Sequence, residues 1–508
     1  MSKELTLEEI QNFKGKYPKQ IWSLFFSEMW ERFCFYGMRG MLVFFMIDQL
    51  KFEEAQSQLQ YAAIQAFVCA FTFVGGLFAD KILGFRKSLF WGGILMILGS
   101  ILLATDPHNF FFLGMAFTVV GTGFFKPNIS TMVGELYKKG DDRTDAGFSL
   151  FYAGINLGAF LGGYVCIAIG KGHMLTDIID VAHRWNVAFG LAAFVMLISL
   201  INFFFTERHL GPIGLQPRKL LPSGETVRMP MWKEISVYVC TILSIPLIMA
   251  MVKNTDYTDY FMYTVGPLTL LYLFYEMTKV TAVERKKLYA ALVFIIFSIL
   301  FWGIYEQAGG SLSIYAAKNL DSNLLGLNLD PNGVNNSGGA FFIILIAPLL
   351  GLLWIWLAKR KIEPNTVIKF GLGFIFLGLG YYVLFATKFF ANADGVTSLN
   401  FFTLALLVIT FGELCLSPIG LSIMTKLSTR NLQGMMMGMW FLASAYGQYV
   451  AGIIGANMSK SAVVGGDNLD RLYAYADGYK EIALYAVIAG VVLILISPLV
   501  RKLMQDVK

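Results

Sequence analysis

The chain has 508 residues, of which 56% are hydrophobic and only 15% are charged. Soluble globular proteins carry about 25% charged residues. This composition, together with a mean hydropathy of +0.61, excludes a disordered chain and argues against a soluble enzyme. A bilayer-spanning helix needs about 20 apolar residues, and the length leaves room for about a dozen such helices. The sequence therefore predicts an all-α integral membrane protein.

The formal net charge of +6 does not indicate a nucleic-acid partner, because the basic residues form short clusters between apolar runs. The five cysteines lie in apolar runs and show neither a CxxC pair nor metal-ligand spacing. All four histidines fall in predicted loops. We therefore expect no metal or other cofactor. An intramembrane enzyme is disfavoured, since it would need a nucleophile–base pair or a metal cluster at membrane depth. A channel or passive receptor stays open as an alternative.

Apolar runs predict fourteen membrane spans in a pattern of six, two and six. A basic connector with four prolines, residues 207–233, separates the first six spans from the next two. The spans lie near residues 20–50, 58–79, 88–105, 109–134, 146–169, 186–205, 234–252, 259–277, 288–309, 339–358, 366–388, 399–424, 432–457 and 479–500.

The basic residues also predict the orientation of these spans. Most of the 40 Lys and Arg residues fall in segments on the same side as the N-terminus. The positive-inside rule therefore places both termini in the cytoplasm of a multi-pass cell-membrane protein. Because the polar N-terminal segment shows no cleavable signal, we expect the first span to direct insertion.

Seven ionisable residues fall inside predicted spans. Such a group costs at least about 2.5–3.5 kcal/mol at the bilayer centre, so it should face a partner or an aqueous cavity. A structural ion pair could account for any one of them. Seven in four spans favour a polar cavity that takes up and releases protons. They are Glu28, Glu31, Arg32 and Arg39 in the first span, Lys126 in the fourth, Glu306 in the ninth and Glu413 in the twelfth.

Several of these residues stand in recognisable motifs. Residues 28–37 read EMWERFCFYG and resemble the ExxERFxYYG motif of the proton-dependent oligopeptide transporter family, within the major facilitator superfamily. Residues 76–87 resemble the loop motif of that superfamily, and residues 148–160 resemble the fifth-helix signature of the family. Similar segments at 121–128, 301–307 and 412–418 extend the resemblance over nearly the whole chain.

The resemblance implies a major facilitator fold whose two halves rock about a midplane site. Residues 1–206 would form an N-terminal six-helix bundle and residues 288–508 a C-terminal one. Residues 207–287 would form a cytoplasmic connector and an inserted two-helix hairpin, as in bacterial members. The implied function is a proton-coupled symporter that imports di- and tripeptides and works as a monomer. A carrier of another small anion or metabolite, such as nitrate, is the alternative.

The resemblance also assigns residue roles, with the proton as the coupling ion. Arg32, Arg39 and Lys126 would meet the carboxylate of a peptide, Glu413 its amino terminus and Asn156 its backbone. Glu306 would take part in both coupling and binding, paired with Arg39. The proton-coupling residues would be Glu28, Glu31, Arg32 and Glu306. The substrate-binding residues would be Arg32, Tyr36, Arg39, Lys126, Asn156, Glu306, Glu413, Ser417 and Trp440.

Two of these assignments have simpler alternatives. Trp440 stands in an apolar helix, where packing is the common role of a tryptophan. Asp80, Arg86 and Lys87 would form a gating element at the cytoplasmic end, with a solvated loop cluster as the alternative.

The chain departs from the family pattern at two positions. Phe35 stands where the first motif usually has a tyrosine, so one hydroxyl is absent. Gly339 stands where many members carry the Asn of an Asn-Pro pair. We therefore expect altered backbone contacts and a shifted or narrowed substrate preference.

Overall fold

A computed structural model of the chain describes residues 5–138, 141, 143–220, 226–428, 432–464, 466–505 and 507. Helices dominate these residues, and each of the fourteen predicted spans coincides with one helix. The helices are α1 (Leu7–Gln11), α2 (Ile21–Asp48), α3 (Glu54–Phe78), α4 (Phe85–Thr105), α5 (Pro107–Glu135), α6 (Thr144–Gly170), α7 (Arg184–Thr206), α8 (Met231–Lys253), α9 (Thr255–Met277), α10 (Ala282–Tyr305), α11 (Ser311–Asn319), α12 (Pro331–Lys359), α13 (Thr366–Ala386), α14 (Leu399–Leu427), α15 (Gln433–Val464) and α16 (Asn468–Met504).

Eleven helical stretches in the described part of the chain are long and apolar enough to cross a membrane. The helices α2, α9 and α15 fall outside that set. In α2 the reason is visible in the sequence, because Glu28, Glu31 and Arg32 lie within five residues of one another. The helix α2 carries the motif at residues 28–37, and the charged residues of that motif lower the hydropathy of the helix.

The chain divides into two compact units. Unit 1 comprises Met1–Met41 and Phe67–Lys253. Within it α4 packs against α5 and α7, α6 packs against α7, and α8 packs against α5. The predicted hairpin helix α8 therefore belongs to unit 1.

Unit 2 comprises Leu42–Ala66 and Asn254–Lys508. Within it α13 packs against α14 and α16, α10 packs against α15, and α12 packs against α14. The helix α9 packs against α15 and so belongs to this unit. The predicted division at residues 206 and 287 stays a prediction.

Several helices begin earlier than the apolar runs suggested, because polar caps start them. The side chain of Asp330 accepts a hydrogen bond from the backbone N–H of Asn332 and caps α12. The side chain of Asp467 accepts one from Asp470 and caps α16. Since a cap satisfies the free N–H groups of the first turn, the helix can begin in a polar segment.

A helix break lies at the end of the predicted ninth span. The helix α10 ends at Tyr305, residues Glu306–Gly309 form a 3₁₀ turn, and α11 begins at Ser311. Discontinuous spans of this kind bind substrates and coupling ions in many transporters, because the break frees backbone groups at membrane depth. The break places Glu306 at a helix end.

The connector after α7 contains a small antiparallel ribbon, with β1 (Arg218–Leu220) paired to β2 (Thr226–Arg228). The α3–α4 connection meets the segment before this ribbon at Gly84. This residue has φ +80°, and a Cβ there would lie 2.6 Å from the backbone N of Gln216. Only glycine fits, since both the left-handed conformation and the close backbone approach exclude a side chain.

Candidate functional site

Unit 1 holds a fully buried charged cluster on α2. Arg32 Nε lies 2.7 Å from Oε1 of Glu28 and 3.1 Å from Oε2 of Glu31. Both glutamates are completely buried and Arg32 is 2% exposed. Among the described residues no hydrogen-bond donor reaches Oε2 of Glu28 or Oε1 of Glu31. One guanidinium thus contacts two buried carboxylates, and the i,i+4 spacing of Glu28 and Arg32 places this pair on one face of the helix.

Small residues of α6 hold this part of α2 in place. A Cβ on Gly158 would lie 2.1 Å from the carbonyl oxygen of Met29 and 2.9 Å from Cβ of Arg32. A Cβ on Gly162 would lie 2.2 Å from the carbonyl oxygen of Phe33. Glycines four residues apart let two membrane helices approach closely. Gly158 of the fifth-helix signature and Gly162, just beyond it, therefore fix the backbone that carries Arg32.

Lys126 extends the cluster to α5. It is partly exposed and close enough to interact electrostatically with Glu31 and Arg32. Asn156 on α6 is 5% exposed, and its Nδ2 donates to the carbonyl oxygen of Tyr152 at 2.9 Å.

Tyr36 and Arg39 lie further along α2 and are both partly exposed. The Arg39 guanidinium carbon lies 5.7 Å from the centre of the Tyr36 ring, within cation–π range. Phe35 packs edge-on against Tyr36, with ring centres 5.3 Å apart. Phe35 is 6% exposed, so the hydroxyl expected from the family motif is replaced by buried ring packing.

Unit 2 holds a second polar group around Glu413. The hydroxyl of Tyr305 donates a hydrogen bond to Oε2 of Glu413, which is 8% exposed. A Cβ on Gly339 would have the Tyr305 Oη as its nearest neighbour, at 4.0 Å. The structure therefore brings together the end of α10, the middle of α14 and the glycine that departs from the family pattern.

The helix break beside Tyr305 is held by its own hydrogen bonds. Gln307 Nε2 donates to the carbonyl oxygens of Gly303 and Ala451, at 3.2 and 3.0 Å. Ser311 Oγ donates to Gln307 Oε1 at 2.7 Å, and Tyr381 Oη donates to the carbonyl oxygen of Ile304 at 2.8 Å. These bonds satisfy backbone groups freed by the break, as a membrane interior requires. Glu306 lies within the break and is partly exposed.

Ser417 and Trp440 lie in the same unit. Ser417 is one helical turn beyond Glu413 on α14 and is partly exposed. Trp440 on α15 is 6% exposed, and a Cβ on Gly420 would lie 1.9 Å from its ring. The indole therefore packs tightly against the backbone of α14. Its predicted role in a side-chain pocket stays a prediction.

The predicted gating residues have different contacts in the structure. Arg86 donates to the carbonyl oxygen of Ile213 at 2.7 Å and to that of Gly211 at 2.5 Å. Lys87 pairs with Glu234 of α8 at 2.6 Å. Asp80 is exposed in the π-helical turn Ala79–Leu83. The two cations thus attach α4 to the connector and to α8, and the gating role stays a prediction.

Unit 2 also holds a charged network around Glu54 that no sequence pattern predicted. Glu54 at the start of α3 pairs with Lys318 of α11 at 2.6 Å and with Arg471 of α16. Tyr475 Oη donates to Glu54 Oε2 at 3.4 Å and also bonds to the Ser459 hydroxyl at 2.8 Å. In the sequence Glu54 looks like an ordinary acid at a helix start, so nothing distinguished it.

Within the part of the chain that the structure describes, no group of three or more His, Cys, Asp or Glu residues could hold a metal ion.

Comparison with known proteins decides the family. A profile described as the POT family matches residues 86–470. The chain belongs to the POT family. Its relatives in this family include the peptide transporter YePEPT of Yersinia enterocolitica, which is 33% identical over 96% of both chains. A di-/tripeptide transporter of Lactococcus lactis is 31% identical over 97% of both chains.

Solved structures of POT proteins share the fold. A peptide transporter POT variant in complex with alafosfalin has a TM-score of 0.80 and 31% identity, covering 99% of this chain and 100% of that one. A POT family transporter in complex with 5-aminolevulinic acid has a TM-score of 0.79 and 28% identity, covering 98% and 100%. The predicted all-α integral membrane architecture with the major facilitator fold is thereby confirmed.

Proposed function

We propose that this protein is a symporter that uses the inward proton gradient to import di- and tripeptides across the cell membrane. We further propose that both termini are cytoplasmic and that a monomer is the working unit. The names of its relatives, a peptide transporter and a di-/tripeptide transporter, support this substrate class. The ligands of related structures, alafosfalin and 5-aminolevulinic acid, support a site for small molecules.

The charges of each unit complement one end of a peptide. Unit 1 carries Arg32, Arg39 and Lys126, which suit the carboxylate of a peptide. Unit 2 carries Glu413, whose carboxylate suits an ammonium group, with Tyr305 orienting one of its oxygens. A zwitterionic di- or tripeptide carries both groups, whereas a simple anion carries only the first. The acid in unit 2 thus favours a peptide over nitrate.

Arg32 between two buried carboxylates is the observation that carries the coupling proposal. When a peptide carboxylate engages Arg32, one of these glutamates loses part of its counter-charge. Uptake of a proton removes the buried charge that remains, because an unpaired carboxylate is costly at membrane depth. Peptide binding and proton uptake thereby favour each other. Glu306 serves as a second proton site, and its pairing with Arg39 stays a prediction.

Proteoliposomes test this function directly. Labelled dialanine should accumulate against its gradient only when the outside is acidic, with competition by peptides of two and three residues but not of one, four or five. A Glu306→Gln variant should lose uphill accumulation and keep exchange of labelled for unlabelled peptide. Persistent uphill uptake by that variant would contradict its coupling role. Uptake that does not saturate would indicate a channel, and nitrate competition without peptide competition would indicate an anion carrier.

The amino-terminal role of Glu413 has its own test. A Glu413→Gln variant should bind ordinary dipeptides more weakly than the parent protein, while dipeptides with an acetylated amino group should bind both proteins alike. If acetylated peptides lose as much affinity as free ones, Glu413 does not receive the amino group.

A further inference from the structure

A cavity of about 490 Å³ opens in unit 1 where the beginning of α2 meets the end of α7. Lys19, Trp22, Ser23 and Phe26 line it from the α2 side, and Thr206 and His209 from the α7 side. None of these residues belongs to the charged cluster at Arg32.

The polar groups in the wall of this cavity hydrogen-bond to one another. The hydroxyls of Ser23 and Thr206 hydrogen-bond to each other, and Asn202 Nδ2 donates to the carbonyl oxygen of Ser23 at 3.0 Å. Gln20 Nε2 donates to the carbonyl oxygen of His209 at 3.3 Å. These hydrogen bonds join the beginning of α2 to the end of α7 and so define the shape of the cavity wall.

One end of the cavity is cationic. Lys19 lines the cavity and is exposed, and Lys14 and Lys16 precede it in a segment, residues 12–22, that contains no acid. His209 lines the cavity and is also exposed. Basic residues near a membrane surface attract anionic headgroups.

The other end is apolar and open. Trp22 and Phe26 lie one helical turn apart on α2 and are 45% and 42% exposed. Phe204 and Phe205 near the end of α7 are 60% and 62% exposed. In a membrane protein such faces contact lipid chains, and tryptophan favours the interface between chains and headgroups. The cavity therefore joins a cationic end at the water side to an apolar end at the lipid side.

We propose that this cavity binds one anionic glycerophospholipid. Its phosphate lies at Lys19 and His209, and an acyl chain lies along Trp22 and Phe26. The cationic end selects an anionic headgroup over a zwitterionic one, and the apolar end selects a lipid over a free anion. The lipid would fill the groove between α2 and α7 and so support the helix that carries Arg32.

Native mass spectrometry of the full chain tests this site. The protein would be reconstituted in phosphatidylcholine bilayers that contain phosphatidylglycerol and then extracted into detergent. The detergent would be removed in the mass spectrometer, which leaves the protein with its retained lipids. The parent protein should retain phosphatidylglycerol selectively, and Lys19→Gln should weaken that retention about fivefold. Lys286→Gln, which removes an exposed cation elsewhere, should retain lipid as the parent does.

Each other outcome overturns the proposal. Equal retention of phosphatidylcholine and phosphatidylglycerol by the parent protein would exclude an anionic lipid site. Equal losses in Lys19→Gln and Lys286→Gln would show a general effect of surface charge. Displacement of the lipid by inorganic phosphate alone would identify a free-phosphate site. Lys19 is exposed, so its substitution should leave the fold intact, and a thermal melt of the variant verifies this.

Discussion

Arg32 Nε lies 2.7 Å from Oε1 of Glu28, and the same guanidinium contacts Glu31, so one buried cation is shared by two buried acids. Removal of the cation would deprive both carboxylates of the counter-charge that contacts them. We expect Arg32→Met to lower the free energy of unfolding by about 3–5 kcal/mol, measured by thermal unfolding in detergent.

A second substitution tests whether uncompensated carboxylate charge causes the loss of stability in Arg32→Met. Adding Glu31→Gln to Arg32→Met should recover part of the lost stability, because one uncompensated charge is then absent. Lower pH should also help the single variant, since protonation of the carboxylates removes their charge. An Arg32→Met protein that melts at the parent temperature at neutral pH would show that the cluster does not depend on this cation.

Close packing of α6 on α2 gives a second prediction. A Cβ on Gly158 would lie 2.1 Å from the carbonyl oxygen of Met29, so Gly158→Ala must displace α2 at Arg32. We expect a loss of about 1–3 kcal/mol in stability and weaker peptide binding. Gly190→Ala on α7 is the matched control, since its nearest neighbour would be Cβ of Ala104 at 3.6 Å. Similar effects of the two substitutions would rule out the close contact as the cause.

The departure at Gly339 gives a prediction about selectivity. A side chain there would extend toward the Tyr305 hydroxyl, which binds Glu413 and lies 4.0 Å from the ideal Cβ position. We expect Gly339→Asn to reduce uptake of peptides with a bulky first residue more than uptake of dialanine. The measurement is the ratio of the two competition constants in proteoliposomes.

Gly351→Ala on the same helix is the control, because a Cβ there would meet no atom within 4 Å. If Gly339→Asn leaves the ratio of the two competition constants unchanged, Gly339 does not affect substrate selection.

The sequence was most informative where the membrane penalises a residue. Glu28, Glu31 and Arg32 stood out because charges are costly in a span, and the structure brings them together. The apolar runs each marked a helix, and eleven stretches of the described residues are long and apolar enough to cross a bilayer, which takes about 20 apolar residues. Helix ends were less predictable, because a capped helix such as α16 begins in a polar segment.

Contacts between distant segments could not be predicted. Glu54 lies 264 residues from Lys318 and 417 from Arg471, and no local pattern relates them. Tyr305 and Glu413 are 108 residues apart. The family motifs at 301–307 and 412–418 include both residues, but they do not predict the hydrogen bond between them. Gly158 packs against the backbone of Met29, and no local pattern in the sequence related these two residues. Tertiary packing decides these contacts.

A fourth prediction concerns pH and the N-terminal segment. Arg143 Nη2 lies 2.6 Å from Oδ2 of Asp141, and its Nη1 donates to the carbonyl oxygens of Phe13 and Gly15, both at 3.1 Å. Hydrogen bonds from Arg143 lower the pKa of Asp141 from 3.8 to about 2. Because the folded pKa is depressed, the contribution of Asp141 is present above about pH 4 and is lost as the pH falls toward about 2.

Hydrogen exchange of residues 5–20, corrected for intrinsic rates, should show protection that declines over this pH range. Arg143→Gln should lose the protection at every pH, because the variant lacks the hydrogen bonds from Arg143 Nη1 to the carbonyl oxygens of Phe13 and Gly15. Protection that persists at pH 2 in the parent protein would show that the order of this segment does not depend on ionised Asp141.

The network at Glu54 gives the last prediction. Its side chain is 9% exposed and accepts from Lys318 and Arg471, whereas the surface pair Lys388–Asp477 has an acid that is 60% exposed. A hydrogen bond to a charged group contributes about 1.5–3 kcal/mol when shielded from water, but an exposed pair contributes about 1 kcal/mol or less. Glu54→Gln should therefore lower stability several times more than Asp477→Asn. Raising the salt concentration should weaken the Lys388–Asp477 pair first. Equal melting temperatures for the two variants would show that water screens the Glu54 network as effectively as it screens the surface pair.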